Sequence, residues 1–274
     1  MSAMISPKIA CLGAGQMAEA LLGGLLAAKV AEPSRLWATD PSQARRDLLK
    51  QRFGIHVGSE NQEAARWADI VLLAVKPQVL GSVLDDVASS LSGQLVVSIA
   101  AGIPLRYVAD RLPAGVRTVR VMPNAPAMVR EGMSVLAFGS TVTDDDATAV
   151  RTMFESVGRV ALVDEALMDA VTGLSGSGPA YIFMAIEALA DGGVKMGLPR
   201  ATAELLAAQT AVGAARTVLE TGEHPGRLKD RVASPGGTTI AGLHRLEQGG
   251  FRAGVIAAVR AATERARELG QPDP

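Results

Sequence analysis

Five short apolar segments, each followed by a stretch of helical periodicity, place the strongest constraint on the fold of this 274-residue chain. They lack the regular polar alternation of a half-exposed strand, so both faces of each strand should be buried. The segments are residues 8–12, 35–39, 69–75, 95–99 and 118–122. Strands of this kind, alternating with helices, predict a doubly wound, mostly parallel α/β sheet. Residues 134–138 and 159–163 are expected to add two edge strands around a helix at 144–157.

The chain changes character after residue 164, where the β-branched runs stop and Ala, Leu and Glu dominate. Apolar residues now recur at helical spacing, and glycine or proline separates the segments. Helices are predicted over residues 181–196, 200–220, 239–248 and 251–269. We therefore predict two domains: an α/β domain over residues 1–163 and an all-α domain over residues 164–274.

The predicted helix at 200–220 is apolar around more of its circumference than a surface helix needs. Leu205, Val212 and Leu219 lie on one broad stripe, and Leu206 with several alanines extends it sideways. A helix of this kind packs against neighbours on more than one side. Two arrangements account for the pattern: an intertwined dimer, or burial inside the monomer.

The composition argues against several classes of partner. The chain has 27 basic and 28 acidic residues and a formal net charge of −1, so no positive surplus attracts nucleic acid or an anionic membrane. Aromatic residues make up only 3%, too few for the base-stacking surfaces of single-strand binders. The single cysteine, Cys11, excludes an intramolecular disulfide and a multi-cysteine zinc site, and no metal site is predicted.

Neither a leader nor a membrane-spanning segment is expected. Residues 1–7 lack a charged region followed by an apolar one. Elsewhere, no run reaches membrane-spanning length without a charge or a glycine pair. These features predict a soluble, cytoplasmic protein that acts on a small molecule.

A glycine-rich loop follows the first predicted strand directly and opens a helix. Its residues are Gly13, Ala14, Gly15, Gln16, Met17 and Ala18. This placement suits the G-x-G-x-x-G/A pattern: the first glycine makes the tight turn, the second lets pyrophosphate approach the backbone, and Ala18 packs the helix on the sheet. The loop therefore predicts a Rossmann domain that binds a nicotinamide dinucleotide; the alternative is a glycine-rich turn that binds nothing.

Asp40, at the end of the second predicted strand, bears on which dinucleotide binds. A carboxylate there accepts hydrogen bonds from the adenine ribose hydroxyls of NADH and repels the 2′-phosphate of NADPH. Arg45 and Arg46 follow one helical turn later and could reach a 2′-phosphate, or could be solvated surface residues. Asp40 could also be only the N-terminal cap of that helix. Both NADPH and NADH therefore stay open.

Three further strand ends complete the predicted cofactor crevice. In doubly wound sheets the ligand lies beyond the carboxyl ends of the strands. The cofactor-binding candidates there are Ala74, Val75, Lys76, Pro77, Ala100, Ala101 and Asn124. Each polar candidate has a structural alternative: Lys76 could extend along the rim, Pro77 could be the first residue of a helix, and Asn124 could form a turn.

A second glycine-rich segment, Ser-Pro-Gly-Gly-Thr-Thr at residues 234–239, lies far from the first and precedes a helix. Proline fixes one backbone angle, and the two glycines let the following amides turn toward a bound group. Unpaired amides at a helix N-terminus bind carboxylate or phosphate. The segment therefore predicts a pocket for a small acidic substrate; the alternative is an ordinary turn with a threonine cap.

With both loops in place, the chain is similar to pyrroline-5-carboxylate reductase over nearly its whole length. The matching blocks are residues 13–18, 74–77, 97–102, 122–126, 176–181 and 224–239. The last two blocks are specific to that family, whereas other Rossmann dehydrogenases share only the first. The resemblance implies an N-terminal Rossmann domain and an all-α C-terminal dimerisation domain, often with further assembly of dimers into a larger homo-oligomer. It also implies reduction of L-1-pyrroline-5-carboxylate to L-proline with NADPH or NADH, the last step of proline biosynthesis.

The resemblance also implies roles for individual residues. The catalytic candidate is Thr239, whose hydroxyl should approach the ring nitrogen of the substrate. The implied substrate-binding residues are Glu165, Ser234, Gly236, Gly237, Thr238 and Thr239. Asn61 matches a cofactor contact near the adenosine. Some members carry a small polar residue at the position of Asp40 and an asparagine at that of Arg231, which affects cofactor preference rather than the reaction.

Two other functions are alternatives. An activated imine needs placement and a proton more than a catalytic histidine, and His56, His224 and His244 form no evident acid/base pair. A β-hydroxyacid dehydrogenase shares the predicted plan but uses a lysine as acid/base, for which Lys195 is the internal candidate. A non-catalytic, dinucleotide-sensing dimer would bind the cofactor without turnover.

Overall fold

A computed structural model of the chain describes residues 7–270 and divides them into two compact units. Residues 1–6, which make up most of the segment predicted to lack a leader, lie outside the described residues. The first unit comprises residues 7–176 and 262–270, and the second is Ser177–Ala261. The two units are defined by the packing of their residues. The division after residue 163 into two functional domains stays a prediction.

Within the described part of the first unit, eight strands form one sheet. They are β1 (Ile9–Leu12), β2 (Leu36–Thr39), β3 (His56–Gly58), β4 (Ile70–Leu73), β5 (Leu95–Ser98), β6 (Arg117–Met122), β7 (Gly132–Phe138) and β8 (Gly158–Leu162). Their order is β3-β2-β1-β4-β5-β6-β7-β8, and every neighbouring pair is parallel except β6 with β7. The strand order reverses between β1 and β4, and a crevice for a ligand lies beyond the carboxyl ends of strands at such a point.

Helices connect the strands and continue through the second unit. They are α1 (Gln16–Ala27), α2 (Gln43–Phe53), α3 (Asn61–Trp67), α4 (Pro77–Val87), α5 (Leu105–Ala109), α6 (Asp144–Glu155), α7 (Met168–Val171), α8 (Gly178–Lys195), α9 (Arg200–Thr221), α10 (Pro225–Arg231), α11 (Thr238–Gln248) and α12 (Phe251–Leu269). Short 3₁₀ turns and a π-helical turn at Thr172–Gly176 complete the described chain. The predicted fold class, a Rossmann sheet followed by helices, is confirmed.

Two details of the sheet differ from the sequence-based expectation. The strand predicted at 134–138 is β7, which lies between β6 and β8 and is therefore not an edge strand. The edge opposite β8 is β3, a three-residue strand that was not predicted. It escapes the pattern because Val57 is its only large apolar residue, and it is held by parallel pairing with β2.

The core of the first unit lies on both faces of the sheet. All four residues of β1 are buried; Ile9 and Cys11 join one apolar cluster, and Ala10 with Leu12 joins the other. Helix residues complete each cluster, among them Leu22 of α1 and Leu84 of α4, both fully buried. Each such leucine contributes about 1.5–3 kcal/mol through burial. Burial on both faces explains why these strands read as continuous apolar runs rather than alternating ones.

The second unit is helical, and small residues bring two of its helices together. Ala190 of α8 is buried with Ala203 and Ala207 of α9. A Cβ added to Gly193 would lie 3.1 Å from the Cβ of Ala203, so the two helices leave almost no room for a side chain at position 193. Many larger apolar side chains of α9 face outward instead: Leu205 is 69% and Leu219 56% exposed. Burial inside the monomer therefore does not account for the apolar stripe on this helix.

One negative finding concerns membranes. Across residues 7–270, no helix is both long enough and apolar enough to cross a bilayer.

Candidate active site

Gly13 makes the turn that leads from β1 to α1. Its φ is +99°, a conformation that L side chains rarely adopt, and its N–H donates to the carbonyl of Thr39 (2.9 Å). A Cβ at this position would lie 2.8 Å from the carbonyl oxygen of Ala74, just beyond the end of β4. The turn therefore requires glycine for two independent reasons, backbone conformation and close approach.

The start of α1 fits the pyrophosphate of a dinucleotide. Gly15 is the N-cap residue, no side chain caps the helix, and a Cβ added to Gly15 would have open space for 4 Å around it. The first amides of a helix have no intrahelical partner, so here they face open space with the helix dipole behind them. Gln16 is exposed and Met17 half-buried, while Ala14 and Ala18 are fully buried and anchor the loop.

Asp40 fastens the loop after β1 to the end of β2. Its Oδ2 accepts the N–H of Ala14 (2.9 Å), and its Oδ1 accepts the N–H of Ser42 (2.9 Å). The N-cap of α2 is Ser42, so the alternative that Asp40 is only the cap of this helix is wrong. The carboxylate lies next to the first turn of α1, the place where the adenosine half of a dinucleotide begins.

Asn61, the first residue of α3, lies at the same end of β2. The hydroxyl of Thr39, which is fully buried, donates to Asn61 Oδ1 (2.6 Å). This bond fixes the orientation of the Asn61 amide and leaves its NH₂ group pointing away from Thr39. The structure thus brings Asn61 and Asp40 to the same end of β2, and the contact of Asn61 with adenosine stays a prediction.

The other strand ends hold small residues close to the glycine loop. Ala74 and Val75 follow β4 and touch the Gly13 turn. Lys76 is exposed as the N-cap of α4. Pro77 is the first residue of that helix, which was the structural alternative to a cofactor contact. Beyond β5, Ala100 is buried and Ala101 half-buried.

Asn124 acts as a bridge within the first unit. Its Nδ2 donates to the carbonyl of Ser175 (3.0 Å), and its Oδ1 accepts the N–H of Met133 (2.8 Å). The side chain therefore ties the end of β6 to the start of β7 and to the π-helical turn. The second hydrogen on Nδ2 and the second lone pair of Oδ1 are left to contact a cofactor.

Glu165 belongs to an ion-pair network around Arg120, a residue that the sequence-based reasoning did not single out. Arg120 is only 5% exposed on β6; its guanidinium lies 3.1 Å from Asp169 and 3.6 Å from Glu165. Glu165 also accepts the N–H of Leu105, the first residue of α5. A buried arginine needs carboxylates close to it. The arginine within the otherwise apolar segment 118–122 could therefore have indicated this network from the sequence.

Replacing Arg120 by methionine should lower the free energy of unfolding by about 2–3 kcal/mol. The change leaves two carboxylates close together without their cation, and the loss is smaller than for a fully buried pair because Glu165 and Asp169 are partly exposed. Urea unfolding measures it. The matched control is Arg106→Met, which removes an exposed pair with Asp110 and should cost under about 0.5 kcal/mol. Equal losses in both variants would contradict a buried network.

The segment at 234–239 forms a tight turn followed by α11. The N–H of Gly237 donates to the carbonyl of Ser234 (3.0 Å), and Gly236 has a φ of +70°, as the third residue of a type II turn requires. Gly237 is the N-cap of α11, without a side-chain cap. Thr239 is therefore the second residue of the helix, and the alternative of a threonine cap is wrong.

This turn determines which groups of the loop can hold an anion. The amide of Gly237 is used inside the turn, so the available first-turn donors are the amides of Thr238, Thr239 and Ile240. Ser234, Gly236 and Thr238 are exposed, and Thr239 is half-buried. Within the second unit, a helix N-terminus with its dipole and two threonine hydroxyls thus offer donors of the kind that suit a carboxylate.

The other titratable candidates have structural roles or lie apart. His224 caps α10, with its Nδ1 accepting the N–H of Gly226 (3.1 Å), and His56 lies against Trp37 and Trp67. His244 and Lys195 are exposed. Arg231 pairs with Glu223 (2.7 Å). Within residues 7–270, no group of three or more His, Cys, Asp or Glu side chains could hold a metal ion.

A glycine turn and a helix N-terminus suited to pyrophosphate, placed at the reversal point of a parallel sheet, define a dinucleotide-dependent oxidoreductase. Comparison with known proteins goes further. Residues 165–269 match the family model described as pyrroline-5-carboxylate reductase dimerisation, and residues 8–102 match that described as NADP oxidoreductase, coenzyme F420-dependent. A pyrroline-5-carboxylate reductase from Synechocystis is 48% identical over 267 residues, which cover 97% of this chain and 100% of the relative. The chain belongs to the pyrroline-5-carboxylate reductase family.

Solved structures agree with this assignment. The pyrroline-5-carboxylate reductase of Coxiella burnetii has a TM-score of 0.92 at 38% identity and covers 98% of this chain and 100% of its own. The pyrroline carboxylate reductase of Plasmodium falciparum, solved with NADP bound, has a TM-score of 0.89 at 35% identity with the same coverage. The similarity therefore includes both the sheet and the helical part of the chain.

Proposed function

We propose that this protein reduces L-1-pyrroline-5-carboxylate to L-proline with NADPH or NADH, the last step of proline biosynthesis. The observation that carries the proposal is the pairing of two anion sites in one chain. The N-terminus of α1 suits the pyrophosphate of the cofactor, and the exposed N-terminus of α11 is left for a substrate carboxylate. Membership of the reductase family supports the choice of substrate.

The substrate carboxylate is held by the first turn of α11. The amides of Thr238 and Thr239 donate to it, while Ser234, Gly236 and Gly237 set the position of those amides through the turn. Glu165, fixed by Arg120 and the Leu105 amide, is a further substrate contact. Holding the ring in this way contributes orientation, which can supply about 7–11 kcal/mol of a barrier.

Reduction of the ring adds a hydride to C5 and a proton to the nitrogen, which turns the C=N bond into a secondary amine. When bound, the reduced nicotinamide supplies the hydride. The hydroxyl of Thr239, on the second residue of α11, donates a hydrogen bond to the ring nitrogen and directs the incoming proton to it. No histidine is needed, and His224 is already used as a helix cap.

We further propose that residues 1–163 bind the dinucleotide and that residues 164–274 bind substrate and dimerise, in a cytoplasmic homo-oligomer built from dimers. The outward apolar side chains Leu205, Leu206, Val212 and Leu219 of α9 support dimerisation, since a second copy would remove them from water. The match of residues 165–269 to a dimerisation model supports the same assignment. The proposed partners are a small-molecule substrate and further copies of the chain, not nucleic acid or a membrane.

A steady-state assay with pyrroline-5-carboxylate and each of NADH and NADPH tests the reaction. Oxidation of the cofactor with formation of proline is expected with at least one of them. Turnover of a 3-hydroxy or 3-oxo acid, and none of pyrroline-5-carboxylate, would assign the chain to the β-hydroxyacid dehydrogenases. Cofactor binding without any turnover would instead assign it to the dinucleotide-sensing class.

Changing Thr239 to valine should lower kcat about 10²-fold or more and leave the Kd of the cofactor nearly unchanged. Valine keeps the shape and the backbone amide but removes the hydroxyl that faces the ring nitrogen. Thr148→Val, on α6, is the matched control; its hydroxyl only bonds the carbonyl of Asp144, so kcat should stay at the wild-type value. Wild-type kcat in the Thr239 variant would remove this hydroxyl from the mechanism.

A further inference from the structure

The two arginines that follow β2 are both engaged inside the protein. Arg45 Nε donates to the carbonyl of Ala14 (2.7 Å), and its Nη2 pairs with Glu19 (2.7 Å). Arg46 Nη1 donates to the carbonyls of Asp40 (2.5 Å) and Pro41 (3.0 Å), and its Nη2 bonds the side chain of Gln43. Arg45 is therefore paired with a carboxylate, whereas Arg46 lies beside the end of β2 with three of its N–H groups bonded to uncharged oxygens.

The Asp40 carboxylate, by contrast, is held by two backbone amides and can accept further hydrogen bonds. A carboxylate has about four lone-pair sites, and the N–H groups of Ala14 and Ser42 use one on each oxygen. One further acceptor site per oxygen is left for the two hydroxyls of a ribose. The charge of Asp40 also extends into the core: the pKa of the Cys11 thiol is raised to about 12, first by burial and then by the negative charge of Asp40.

The geometry points to Asp40 as the determinant of cofactor preference, with NADH favoured over NADPH; this inference rests on the proposed function only in that the chain uses a nicotinamide dinucleotide. In NADH both adenine ribose hydroxyls can donate to Asp40. In NADPH one hydroxyl is replaced by a phosphate of about two negative charges, which meets a carboxylate that two amides hold in place. Arg45 is already paired with Glu19, and three N–H groups of Arg46 are already bonded to the carbonyls of Asp40 and Pro41 and to Gln43. To offset the repulsion, Arg46 would have to give up its bonds to the carbonyls of Asp40 and Pro41.

Binding of NADH and NADPH to the intact protein, measured separately by titration calorimetry without substrate, tests the inference. We expect a Kd for NADH at least about tenfold lower, equivalent to about 1.4 kcal/mol. Asp40→Asn removes the charge and keeps one acceptor oxygen, which serves either the Ala14 or the Ser42 amide, and should reduce the ratio of the two Kd values to near one. Asp40→Ser is the second variant, and thermal unfolding of the free protein checks that each variant is folded.

Arg46→Met provides the matched control, because the structure assigns its guanidinium to backbone carbonyls rather than to cofactor. The ratio of the two Kd values should stay at the wild-type value in this variant. Selective loss of NADPH binding in Arg46→Met would overturn the inference, as would equal affinities in the wild type or an unchanged ratio in folded Asp40 variants. If NADH binds preferentially but pyrroline-5-carboxylate is not reduced, the proposed function fails while the role of Asp40 stands.

Discussion

Replacing Gly13 by alanine is expected to raise the Kd of the dinucleotide by on the order of 100-fold or more. The new methyl group would lie 2.8 Å from the Ala74 carbonyl oxygen, and a φ of +99° adds strain of about 1–2 kcal/mol for an L residue. The turn must then open, which moves the start of α1 and breaks the bond between the Gly13 N–H and the Thr39 carbonyl. Calorimetric titration with NADH and with NADPH measures the loss, and the melting temperature of the free protein should fall as well.

Gly15→Ala tests cofactor binding by the same loop without disturbing the protein itself. Its added Cβ meets nothing within 4 Å, and its φ of −69° is ordinary for any residue. The free protein should therefore unfold within about 0.5 kcal/mol of the wild type, since nothing in the protein is disturbed. Cofactor affinity should still fall about tenfold or more, because the methyl occupies the space that pyrophosphate needs. Wild-type affinity in Gly15→Ala would show that pyrophosphate does not pass this loop.

The second large effect is expected from Gly237→Ala, which should lower kcat/KM for pyrroline-5-carboxylate by on the order of 100-fold and leave the cofactor Kd unchanged. The Cβ would overlap the hydroxyl of Ser234 and lie 3.1 Å from its carbonyl oxygen. Because that carbonyl accepts the Gly237 N–H, the turn that orients the amides of Thr238 and Thr239 must shift. Displacements of about 1 Å in positioning groups are enough for an effect of this size.

A double variant separates distortion of this turn from loss of a direct contact. Ser234→Ala removes the hydroxyl that a Cβ at position 237 would overlap, so Gly237→Ala should cost less kcat/KM in that background than in the wild type. Equal costs in the two backgrounds would contradict a steric origin. A parallel rise in the Kd of the cofactor would contradict the assignment of this loop to substrate.

The sheet was predictable wherever strands are buried on both faces. The predicted segments 95–99 and 118–122 differ by one residue at one end from β5 and β6, because continuous apolar runs admit little choice of boundary. Helix α12 was predicted with its observed ends, 251–269, since Gly249-Gly250 precedes it. Short elements were missed. The seven-residue helix α10 has too few turns to show a periodicity, and its cap is a histidine rather than one of the usual residues.

The candidate site was predictable in its backbone and less so in its side chains. Glycine patterns identify turns through local conformation, so the loops at 13–18 and 234–239 could be placed from sequence. The partners of Asp40 and Arg45 could not, because Ala14 and Glu19 are each 26 residues away along the chain and meet them only in the folded sheet. The sequence left Arg45 as either a phosphate ligand or a solvated residue. The structure gives a third answer, an ion pair with Glu19.

The end of α12 has a consequence for how the chain is made. Residues 262–270 pack with the first unit, where a Cβ on Gly102 would lie 3.1 Å from the Cβ of Leu269 and 3.3 Å from the carbonyl of Ala266. Domains generally fold from the N-terminus onward during synthesis. Here the loop after β5 receives its covering residues only when α12 has left the ribosome. The first unit of the nascent chain therefore stays incomplete until α12 has been made.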